Sequence, residues 1–137
     1  MHTSLAALAA AVAIAFPGAG LADISLVMVE EDGCIWCARW DAEVGDAYAK
    51  TELGRRAPLR RIDIRDPLPD DLEFASPPRL TPTFVLVDDG QELHRIEGYP
   101  GEHFFWPMLE RMLTEAAPSG PDGDTAHGAP LTEEATP

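Results

Sequence analysis

Cys34 and Cys37 are the two cysteines of this 137-residue chain, three positions apart. A thiol attacks as its thiolate, so a redox cysteine needs surroundings that favour negative charge and leave room for a substrate sulfur. Two thiols one helical turn apart can divide the labour: Cys34 forms a mixed disulfide with a partner and Cys37 resolves it. Closing so short a loop removes little chain entropy, so reactivity explains the pair better than stapling does. The other readings are weaker but stay open. A zinc site wants two more ligands at a matching spacing, and His94 and His103 are not so placed. Covalent haem wants His after the second cysteine, where this chain has Ala38. An inert disulfide in a binding module without turnover is the remaining alternative.

A lone CxxC says little, whereas one at a strand-to-helix junction inside a βαβ unit says much. Ile24 to Val29 is a short branched apolar run that suits a strand buried on both faces, and it ends at Glu30-Glu31-Asp32-Gly33. Cys34 to about Leu53 has helical composition, with Gly54 as the expected terminator. The cysteines then fall on the first turn, where unpaired amides and the helix dipole favour a thiolate at Cys34. Leu59 to Ile64 reads as a second strand, reached through a helix and therefore parallel to the first. Arg65 to Thr81 carries four prolines and has room for at most a short helix near Asp70 to Ala75. Pro82 to Val87 and Glu92 to Ile96, joined by Asp88-Asp89-Gly90, predict a hairpin. A last helix is expected over Glu102 to Ala116, with Phe105, Met108, Leu109, Met112 and Leu113 as its apolar stripe. Pro107 requires that this helix begin within about a turn of it. Met108 and Met112 at helical spacing read as core rather than as copper ligands. The fold class is α/β: one domain with a central mixed sheet flanked by helices.

Residues 1–22 read as a signal peptide, because the apolar run Leu5 to Phe16 is followed by Pro17-Gly18 and by Gly20-Leu21-Ala22, a plausible cleavage site. No Lys or Arg precedes the run, a departure from the usual pattern. The run is also shorter than the roughly 20 apolar residues a bilayer requires, so no stable membrane insertion is expected after cleavage. Residues 23–117 form the expected domain, and 118–137 an acidic tail rich in Pro and Gly and expected to be disordered. The net charge of −14 argues against nucleic acid as a partner, since phosphate binding relies on Lys and Arg. It favours a cationic or neutral protein partner, although acidity also serves solubility alone.

The order strand, Cys34-Ile35-Trp36-Cys37 on a helix, strand, Thr81-Pro82-Thr83-Phe84, hairpin with Asp89-Gly90, Gly98 and final helix resembles the thioredoxin superfamily across about residues 24–116. The resemblance implies that Pro82 is cis and that Thr81 and Pro82 form a substrate-facing backbone edge beside the redox pair. On the residues alone, Pro82 reads as a strand-opening proline. Glu30-Glu31-Asp32-Gly33-Cys34 through Trp40, with Arg60-Arg61-Ile62-Asp63-Ile64, resembles small exported thioredoxins associated with bacterial sulfur-oxidation systems. That likeness implies a periplasmic thiol reductant acting on protein disulfides, recharged by a membrane electron donor, with the redox disulfide as its only redox group and no metal or separate cofactor.

Several residues depart from ordinary thioredoxin. Ile35-Trp36 replaces Gly-Pro between the cysteines, and Met28 stands about where thioredoxin has a buried acid. Glu30, two residues along the same strand, is a candidate replacement facing the same side, or else a solvated strand-end acid. Trp36 is expected to be exposed, either to contact the partner or to limit access to Cys37, and Trp40 to pack in the core. Arg39 is a candidate modulator of the thiolate, with a solvated helix face as the better reading. The acids at positions 30–32 disfavour a thiolate at Cys34, which destabilises the reduced form and points to a reductant; an oxidant or isomerase with the same residues is the enzymatic alternative.

Overall fold

The computed structural model describes residues 23–117; the expected signal peptide (1–22) and acidic tail (118–137) lie outside the described residues. Strand β1 (Ile24–Glu30) is the hub of the sheet. It pairs in parallel with β2 (Leu59–Asp63) and antiparallel with β3 (Thr83–Asp88), and β3 pairs antiparallel with β4 (Gln91–Glu97), giving the order β2-β1-β3-β4. The two interior strands are continuously apolar over Leu26–Val29 and Phe84–Val87 because both faces are covered there. Leu26, Met28, Phe84, Leu86 and Ile96 face the helices, whereas Val27, Val29, Val85 and Val87 face Leu72 and Phe74 of the proline-rich segment. That segment forms no helix; it meets β4 through a bridge between Glu73 and Gln91.

The hairpin forms as its turn residues dictate. Asp89 (φ 48°) and Gly90 (φ 79°) both hold positive φ, the requirement of the two-residue turn whose twist matches the flanking strands.

The first helical region is not continuous. Helix α1 (Ile35–Trp40) passes into a π-helical turn (Asp41–Gly45) and a last turn, α2 (Asp46–Tyr48), and the chain then breaks before α3 (Glu52–Arg56). Thr51 caps α3, its hydroxyl oxygen accepting from the Gly54 amide at 2.9 Å. Gly54 is thus an interior residue of α3 and not the terminator expected of it. A Cβ there would stand 1.9 Å from the Tyr48 carbonyl oxygen, so the residue is Gly because α3 crosses the end of α2 too closely for a side chain.

Helix α4 (Glu102–Ala116) begins five residues before Pro107, so the proline sits in the second turn rather than the first. It gives up one interior hydrogen bond on a stretch of helix that is exposed. The stripe is also corrected: Phe105, Leu109, Met112 and Leu113 are buried, while Met108 is exposed and Trp106 packs against the core in its place, stacked on Tyr48. Phe105 lies edge-on to Trp40 and Phe84 at ring separations of 5.8 and 5.0 Å, an aromatic cluster directly beneath the CxxC helix.

Candidate active site

The site lies at the carboxyl end of β1, where Glu30 gives way to the turn that delivers Cys34. Cys34 is the N-cap residue of α1, in extended conformation, and is joined to Cys37 as a disulfide. Its Sγ accepts a hydrogen bond from the Cys37 amide at 3.1 Å. A donor placed there favours the anionic form of the sulfur once the bridge is opened. The two sulfurs differ in access: Cys34 is half-buried, whereas Cys37 is only 4% exposed and belongs to the hydrophobic core. A partner sulfur can therefore reach the first cysteine and not the second.

A cavity of about 550 Å³ opens on one side of the pair, lined by Cys34, Cys37, Glu30, Asp41, Arg61 and Asp63 among others. Glu30 does line it, as its position two residues beyond Met28 predicts, but its carboxylate is engaged. Arg61 donates to Glu30 at 2.7 Å and to Asp41 across the cavity, and its guanidinium lies over the Trp40 ring, 5.4 Å from the centroid. Parallel pairing puts Met28 opposite Arg61 and Glu30 opposite Asp63, so β2 supplies the cation that pairs with Glu30 and Asp41 in this cavity.

Asp63 is clamped from the following turn. The Arg65 side chain donates to both its oxygens, at 3.0 and 2.8 Å, and the Arg65 amide donates at 2.8 Å. These bonds hold its carboxyl at about 2, well below an ordinary aspartate. Because the folded value is depressed, the stabilisation is fully present above about pH 4 and is lost as pH falls towards 2. Arg65→Met is expected to return Asp63 towards about 3.9, read by NMR titration of its carboxyl carbon.

A second groove, of about 440 Å³, meets the CxxC segment at Trp36 and is lined further by Leu80, Thr81 and Tyr99, with Gly98 and Pro100. The Thr81–Pro82 peptide bond is cis. Thr81 is half-buried and lines the groove, whereas Pro82 is buried and its carbonyl accepts from the Gly98 amide at 2.8 Å. The Thr81 hydroxyl donates to Glu31 at 2.8 Å, joining the acidic turn before Cys34 to the loop before β3. Trp36 is 48% exposed and Ile35 73%, an apolar rim beside the sulfurs, and Trp40 is fully buried. Arg39 does not turn to the cysteines: its Nε donates to Glu43 at 2.8 Å and its guanidinium lies over Trp36.

Sequence reasoning missed Arg61, Asp41, Glu43 and Tyr99, and gave Glu31 no contact. Their contacts join residues 20 to 56 positions apart, and only the helical spacing of Arg39 and Glu43 carried a local signal. Among the described residues no group of three or more His, Cys, Asp or Glu side chains is gathered as a metal ion would require, and no helix is long and apolar enough to cross a membrane.

No family model and no curated protein matches this chain. Among solved structures it is similar to the reduced form of the periplasmic thioredoxin SoxS from Paracoccus pantotrophus. The two are 53% identical, with a TM-score of 0.67, over 69% of this chain and 99% of that one. With a CxxC disulfide at the head of a helix, a mixed four-stranded sheet and that degree of identity, the chain belongs to the thioredoxin superfamily, resembles its Sox-associated members, and is a thiol–disulfide oxidoreductase.

Proposed function

We infer that this protein is a periplasmic reductant of disulfides in partner proteins, the partners of a sulfur-oxidation system being the first candidates. The observation that carries the reading is the unequal access of the two sulfurs: Cys34 is half-buried at the head of α1, whereas Cys37 is 4% exposed and packed into the core. In the reduced protein the Cys34 thiolate attacks one sulfur of the partner's disulfide, and the partner's other sulfur leaves as a thiolate. Cys37, deprotonated, then attacks Cys34 Sγ, and the partner departs as a dithiol. Two electrons have passed to the partner, and the protein holds the Cys34–Cys37 bridge. Thr81 and the backbone at Pro82 form the edge along which the partner segment lies, and Trp36 is the aromatic contact beside it. Glu30, held by Arg61, is an acid of the cavity that both cysteines line, and Arg39 acts on Trp36 rather than on the thiolate.

The direction of electron flow is supported by charge. Glu30, Glu31, Asp32, Asp41 and Asp63 line the cavity at the pair, five acids against the guanidinium of Arg61 in the same lining and that of Arg65 bound to Asp63. Excess negative charge disfavours a thiolate at Cys34 and with it the reduced form, which makes the pair a better electron donor. A reductant working in the periplasm must be recharged, so a membrane-bound dithiol donor is the implied partner on the other side of the cycle. The relative's periplasmic location and the leader-like residues 1–22 support export.

The equilibrium reduction potential of the pair, titrated against dithiothreitol, tests this directly. A value near the roughly −270 mV of thioredoxin is expected; one near the about −120 mV of a strong oxidant would reverse the proposed flow.

A further inference from the structure

Both walls of the groove beside the redox pair are tied to one carboxylate that does not itself line the groove. On one wall, the Arg39 guanidinium lies 5.7 Å from the centroid of the Trp36 ring, and Arg39 Nε donates to Glu43 Oε1 at 2.8 Å. On the other wall, the Tyr99 hydroxyl donates to Glu43 Oε2 at 2.6 Å. Glu43 stands in the π-helical turn that follows α1, and Tyr99 lies in the loop between β4 and α4, 56 positions further along the chain. Its two oxygens are thus divided between the two walls. The bond from Tyr99, and after it the bond from Arg39, lower the Glu43 carboxyl below its ordinary range, so both acceptors are charged at neutral pH.

An exposed Arg–Glu pair contributes little to stability by itself, and Trp36, half-exposed, is a large side chain with freedom to swing. What the arrangement does is restrict that freedom before a partner arrives, which removes an ordering cost from binding. We propose that Glu43 is a positioning residue for partner binding: through Arg39 and Tyr99 it holds Trp36 and the Gly98–Pro100 loop at the separation that admits a cysteine-bearing segment next to Cys34. The proposal deepens the reading of this site as one that exchanges disulfides with protein partners, and rests on it.

The test uses protein reduced with dithiothreitol and then freed of it, in single-turnover reactions with two probes, KM and kcat being the half-saturating probe concentration and the limiting rate of that turnover. One is a cysteine-containing heptapeptide blocked as its mixed disulfide with thionitrobenzoate, and the other is the small symmetrical disulfide of thionitrobenzoate. Release of the chromophore reports attack by Cys34 in each case. Glu43→Ala is expected to raise KM for the peptide roughly three- to tenfold, the range for re-ordering one or two side chains, while kcat and the rate with the small probe stay unchanged. Glu43→Gln, which keeps an oxygen acceptor, is expected to recover most of the loss. Should the alanine variant fail to fold, Tyr99→Phe removes the same bond and keeps the ring, and is expected to raise KM in the same direction. An unchanged KM in the folded variant, or a loss shared equally by both probes, overturns the proposal. Wild-type protein that releases chromophore from neither probe overturns the disulfide-exchange reading itself.

Discussion

Cys37→Ser is expected to convert a turning-over reductant into a trap, with partner protein accumulating on Cys34 as a mixed disulfide that survives non-reducing electrophoresis. Cys34 sits at the head of α1 with its sulfur half-buried and keeps the Cys37-position amide as a hydrogen-bond donor, because that donor is backbone. Attack on the partner therefore survives the substitution. Resolution does not, because the attacking group was a buried thiol whose Cα lies 5.3 Å from that of Cys34. Well-placed intramolecular groups act at effective concentrations of about 10⁵ M or more, far above any millimolar thiol in solution. Turnover should fall by well over a hundredfold, and the residual rate should follow the concentration of added dithiothreitol. Cys34→Ser should form no adduct at all, since Cys37 is shielded by the core. An adduct on Cys37 in that variant would invert the assigned roles, and a Cys37→Ser protein that turned over normally would remove the two-cysteine mechanism.

The framework of this site was legible in the sequence where its causes are local. The apolar run of β1, the Asp89-Gly90 turn and the stripe of α4 each express a periodicity or a turn rule within a few residues. The crossover from β1 through a helix to β2 followed from order alone, and it is what puts the cysteines at the carboxyl end of a central strand. Contacts made across the fold were not legible. Glu31 and Thr81 are 50 positions apart, and nothing in either neighbourhood announces that the acidic turn will accept a hydrogen bond from the loop before β3. Met108 matched the apolar stripe and Trp106 did not, yet the core takes Trp106 because the face of Tyr48 is there to stack on. The proline-rich segment read correctly as lacking room for a long element. Its work, covering the second face of the sheet with Leu72 and Phe74, depended on the absence of a helix on that face among the described residues.

Gly54 is where local reading went furthest astray, and it carries the largest expected loss of stability. A glycine at the end of a helical composition is a reasonable terminator, because a C-cap favours the left-handed conformation glycine tolerates. Here the helix has already ended at Tyr48 and a new one has begun at Glu52, and glycine is required by proximity instead. A methyl group at residue 54 would meet the Tyr48 carbonyl oxygen at 1.9 Å and its carbon at 2.7 Å, backbone atoms that cannot rotate away. Relief means moving α3 off the end of α2. That movement strains the bonds that tie α3 to the end of α2, from the Thr51 hydroxyl to the Tyr48 carbonyl and from the Tyr48 hydroxyl to the Ala57 carbonyl just before β2. Gly54→Ala is therefore expected to cost about 3 kcal/mol or more, the upper end of what overpacking costs, despite alanine's better helix propensity. Urea unfolding would show it as a lower midpoint at unchanged slope. A neutral or stabilising result would mean that glycine acts here as the propensity scale alone describes, and that the crossing of α3 over α2 is wider than the structure has it. Because Tyr48 packs against Trp40, which lies beneath the redox turn, the loss should also reach the site, making the bridge at Cys34 and Cys37 easier to reduce by a small thiol before the domain unfolds.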